Sequence, residues 1–89
     1  MSNEGGDGKD TERLKIQFLD NELDLSNTFL DVARTEKDSP EEALQALQNA
    51  QEGYRTAQDF IGTVRDQEAF QRLSARIDQL AQRLRQVQN

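Results

Sequence analysis

Ile61-Gly62-Thr63-Val64-Arg65-Asp66-Gln67 decides how this chain folds, because two helical patterns meet there and do not share a phase. Before it, Ala43, Leu47, Ala50, Tyr54, Ala57, Ile61 and Val64 recur at alternating steps of four and three residues. After it, Phe70, Leu73, Ile77, Leu80, Leu84 and Val87 recur at steps of three and four. Each run has the heptad spacing of a helix that buries one seam. Between Val64 and Phe70 the step is six residues, which neither seam accommodates. Gly62-Thr63 supplies a helix end and Asp66 a new N-cap, so a turn is expected at about 62 to 66.

Upstream, Ser39-Pro40-Glu41-Glu42 reads as a helix start, with Ser39 as N-cap, Pro40 at the first helical position and Glu42 as the acid of a capping box. Proline also stops whatever precedes it, so a first helix ends near Glu36-Lys37-Asp38. Its apolar residues fall on two neighbouring rows: Leu14, Phe18, Leu25, Phe29 and Val32, then Ile16, Leu19, Leu23, Leu30 and Ala33. Together the rows cover an arc of about 200°, wider than one neighbouring helix requires, so this helix is expected to face two partners. Residues 1–10 hold three of the five glycines and almost nothing apolar. They are expected to be a disordered acidic tail.

The expected fold is therefore all-α: a three-helix up-down-up antiparallel bundle with helices at about 11–37, 40–62 and 66–88, behind that tail. The alternative is a structural coiled-coil subunit, in which 40–88 forms one long helix that assembles with copies of itself. Ser39-Pro40-Glu41-Glu42-Ala43-Leu44 resembles the opening of helical-hairpin repeats such as tetratricopeptide units. No repeat of about 34 residues follows it, so no family function is carried over.

Composition narrows the chemistry. The 89 residues include no cysteine and no histidine, which removes thiolate nucleophiles, imidazole bases, disulfides and the usual zinc ligands. No catalytic residue, cofactor or metal is expected, and the chain is read as non-enzymatic. Asp20, Glu22, Asp24 and Asp31 imitate the acids of a calcium loop, but Leu25 stands where such a loop needs glycine and the helical periodicity runs straight through. Apolar runs reach only two residues or so, as in Phe18-Leu19, far below the roughly 20 needed to cross a bilayer. No membrane segment is expected. With no secretory signal visible, a cytoplasmic location is the default expectation.

Net charge is −6, unevenly spread: residues 67–89 carry +2 while 11–38 and 39–66 carry −3 each. The acidic balance and the lack of aromatic residues among the arginines argue against nucleic acid. The expected partner is another protein or a second copy of the chain, with a homodimer possible. Two stripes stand out. Asp20, Asp24 and Asp31 on the first helix and Arg72, Arg76 and Arg83 on the third share the spacing i, i+4, i+11. Each stripe is read as lying opposite its own helix's seam, so the two are expected to meet between molecules with these helices parallel. Phe60 and Leu44 lie off the second helix's seam and complete the set of partner-binding candidates.

Overall fold

The computed structural model describes residues 4–88, with side chains from Asp10 to Val87. It contains three helices and, among the described residues, no strand: α1 (Glu4–Thr35), α2 (Pro40–Ile61) and α3 (Gln67–Gln88). The tail expected over 1–10 falls on residues 1–3, outside the described residues, and on the first turns of α1. All three helix pairs are in contact, and extents of 57 × 21 × 16 Å set them side by side in a bundle about two helix diameters across. Phe18 meets Phe60 and Ser26 meets Gly53, so α1 and α2 run antiparallel. Asp20 meets Arg72 and Asp31 meets Arg83, so α1 and α3 run parallel. The chain reverses twice, and 40–88 is two helices rather than one.

Local chemistry explains both reversals. Ser39, extended at φ −137° and ψ 98°, accepts the Glu42 N–H on its hydroxyl at 3.2 Å, and Pro40 opens the helix where its missing N–H costs nothing. Only this half of the expected capping box forms among the described residues; the Glu42 carboxylate makes no bond back. At the second turn Asp66 Oδ1 accepts the Ala69 N–H at 2.9 Å and caps α3. Gly62 has φ −66°, so the turn does not use glycine's left-handed freedom. The chain leaves α2 instead through bonds from Thr63 N–H and its hydroxyl to the Phe60 carbonyl.

Leu19, Leu23 and Leu30 of α1 form the core with Leu73, Ile77, Leu80 and Leu84 of α3 and Ala50, Ala57 and Val64 from α2 and its turn. Of α1's other apolar row, Phe29 packs against this core, while Leu14, Phe18, Leu25 and Val32 stay exposed. The burial of α2 is also rotated from the expected seam: Ala46, Ala50, Gly53 and Ala57 form its buried edge, while Leu47, Tyr54 and Ile61 pack partly covered beside it. Small residues on that edge let α1 come close. A Cβ built on Gly53 would overlap Ser26 Oγ, and would stand 3.2 Å from Ser26 Cβ and 3.6 Å from the Glu22 carbonyl oxygen. Phe70, expected in the seam of α3, is exposed, and Ala69 takes the buried place beside it.

Candidate functional site

The aspartate and arginine stripes lie together, but within one molecule. Arg72 grips Asp20 with two bonds of 2.8 and 3.0 Å, Arg76 bridges Asp20 and Asp24, and Arg83 bridges Asn27 and Asp31. The expectation of a contact between molecules is therefore corrected. Relative to the row of α1 that is enclosed, Asp20, Asp24 and Asp31 sit on its flank rather than opposite it. The long arginine stems cross the groove between two parallel helices. These six residues are occupied in holding α1 to α3.

The Arg72 hydrogen bond, more than any other influence, holds the Asp20 carboxyl below its ordinary range; the same pairing raises Arg72. A second depressed carboxylate closes the far turn. Glu12 Oε2 accepts the backbone N–H groups of Arg65 and Asp66 at 2.6 and 2.9 Å, and the Asp66 amide is the main cause of its lowered pKa. Lys15 adds a bond of 2.8 Å to the Thr63 carbonyl and an ion pair to Glu12. Sequence reading missed this clasp, because its partners are 53 and 54 residues apart and two of them are backbone amides.

A carboxylate with a lowered folded pKa contributes stability above its unfolded pKa, and that contribution is lost as pH falls through the folded value. Both groups act in that direction. Thermal melts are therefore expected to show stability falling as pH drops below about 4.5, the ordinary value for Glu12. Glu12→Gln and Asp20→Asn should each flatten that acid limb and lower the melting temperature at neutral pH. Arg76→Glu should cost about 1 kcal/mol at low salt, with the loss shrinking as salt rises, since this is a partly exposed network.

With the charged stripes occupied, the exposed apolar residues remain. Leu14, Phe18, Leu25 and Val32 are 63%, 39%, 50% and 40% exposed, and at about 100° per residue they fall within an arc of about 40° on α1's outer side. Phe60 of α2, 43% exposed, extends this face through an edge-to-face contact with Phe18, ring centres 5.3 Å apart. Leu44 is exposed too, but lies about 160° round α2 from Phe60 and does not join it. Between α2 and α3 an open groove of about 470 Å³ is lined by Tyr54, Arg55, Gln51, Gln58, Leu84 and Arg85. Among the described residues no helix is long and apolar enough to cross a membrane. Compared with protein-family models, curated proteins and solved structures, the chain finds no match.

Proposed function

We propose that this chain is a non-enzymatic protein–protein interaction module that docks its partner along the outer side of α1. The observation that carries the reading is the line of Leu14, Phe18, Leu25 and Val32, open to water on a helix whose other row already fills the core. Folding gains nothing from apolar side chains left in solvent, and a contiguous exposed patch of this kind marks contact surfaces. The composition supports the same reading, since a chain without histidine or cysteine has little with which to do covalent or acid–base work.

Photo-crosslinking in the native cell tests the proposal. A crosslinker at position 25 is expected to give a discrete adduct that disappears when Phe18 and Val32 are changed to serine, whereas one at Gln79 on α3 should give none. Equal labelling from both positions would overturn it. Leu25→Asp should leave the melting temperature within a few degrees of wild type, because a half-exposed surface position contributes within about 0.5 kcal/mol.

A further inference from the structure

The outer face of α1 has a second heptad seam of its own. Leu14, Phe18, Asn21, Leu25, Thr28, Val32 and Thr35 follow one another at steps of four and three, and all seven are exposed. The apolar positions recur every seven residues as Phe18, Leu25 and Val32, with Leu14 one turn before them. Heptad spacing is what one helix shows to another lying along it, since it keeps the seam in contact over many turns. From Leu14 to Val32 the seam runs about 27 Å, the length of a partner helix of about five turns. Thr28 and Thr35 donate their hydroxyls to the Asp24 and Asp31 carbonyls of their own helix, so they need no hydrogen bond from a partner.

Charge identifies the occupant. Among the side chains described on α1, the charged residues within about 70° of the seam's apolar line are Asp10 and Glu22, both acidic; Glu36, just past the helix end, adds a third acid whose Oε1 accepts the Asp38 N–H. The nearest cation, Lys15, is engaged with Glu12 and the Thr63 carbonyl. On α2 the sole cation, Arg55, lies about 140° round from Phe60, while Glu52 and Asp59 are closer to it. A second copy pairing the same face with itself would set acid against acid, and its Arg72, Arg76 and Arg83 are already bound to their own aspartates and Asn27.

We infer that the α1 outer seam receives a single basic amphipathic helix of another protein, its apolar residues at heptad spacing on Phe18, Leu25, Val32 and Phe60 and its Lys or Arg side chains over the acidic rim. This rests on the docking proposal above and specifies the chemistry of the partner. Asn21, whose side chain makes no hydrogen bond among the described residues, sits mid-seam and requires a polar residue opposite it, which would set the register.

The test uses the full chain and two labelled peptides of about five helical turns with the same leucine heptads and a single Asn, one flanked by lysines and one by glutamates. Fluorescence anisotropy is expected to show binding of the lysine peptide that weakens with salt and is at least tenfold tighter than that of the glutamate peptide. Leu25→Asp, and separately Leu25→Ser, should each weaken it at least tenfold while circular dichroism stays unchanged. Equal binding of both peptides would retain the docking face and overturn the basic partner. If neither peptide binds and sedimentation shows a dimer that Leu25→Asp dissociates, the occupant is a second copy and the inference fails. If neither binds and the chain is monomeric, the inference and the docking proposal fail together.

Discussion

Gly53→Leu is expected to lower stability by about 2–3 kcal/mol net, enough to shift the thermal or urea unfolding midpoint markedly, although leucine is the better helix former. Two effects compete. Replacing a mid-helix glycine gains about 1 kcal/mol of helix propensity. Against it stands the meeting of α2 with α1 at Ser26, where even a first side-chain carbon overlaps the Ser26 hydroxyl and lies 3.6 Å from the Glu22 carbonyl oxygen. A hydroxyl can rotate away, so Gly53→Ala should be mild. Leucine must displace the backbone of α1, with an overpacking cost of a few kcal/mol that exceeds the propensity gain. Combining Gly53→Ala with Ser26→Ala should recover much of the propensity gain. A Gly53→Leu protein as stable as wild type would show that the two helices do not approach this closely.

The second large effect separates two leucines on one helix. Leu23→Ala is expected to cost about 2–5 kcal/mol, since Leu23 is fully enclosed and its removal leaves a cavity between α1 and its neighbours. Leu25→Ala, at a position half open to water, should change stability by about 0.5 kcal/mol or less. Against the roughly 5–15 kcal/mol that holds a native domain together, the first is serious and the second negligible. Urea unfolding of both variants measures the contrast directly. Comparable losses would place both rows of α1 in a buried environment and remove the docking face.

That contrast also shows where the sequence was ambiguous. Ser39-Pro40 and Asp66 could be read as helix starts because capping is local chemistry carried by one or two side chains, and both cap as expected. The α3 seam was legible because four of its members, Leu73, Ile77, Leu80 and Leu84, are all large, apolar and buried. On α1 two apolar rows compete on the same wheel, and hydrophobicity alone does not rank them. The choice depends on α2, whose buried edge of Ala46, Ala50, Gly53 and Ala57 carries little hydrophobic signal and includes a residue with no side chain. Misplacing the axis of α1 made its aspartates appear to face away from α3, and so sent them toward another molecule. The α1 clasp on the second turn was invisible for a different reason: nothing in Glu12 announces that two distant amides will need an acceptor.

The ladder between α1 and α3 has marks at 20, 24 and 31 on one helix and 72, 76 and 83 on the other, a constant offset of 52 residues. The gaps between marks are four, seven and eleven residues, and no two are equal. Sliding one helix along the other by any whole number of turns therefore breaks all three matched pairs and leaves at most one aspartate opposite an arginine, as Asp20 is to Arg76 one turn on. Leucine seams tolerate such slippage, because one leucine fits nearly as well as the next. The ladder works as a key cut for a single alignment, and its main contribution is to make every shifted arrangement of the bundle worse.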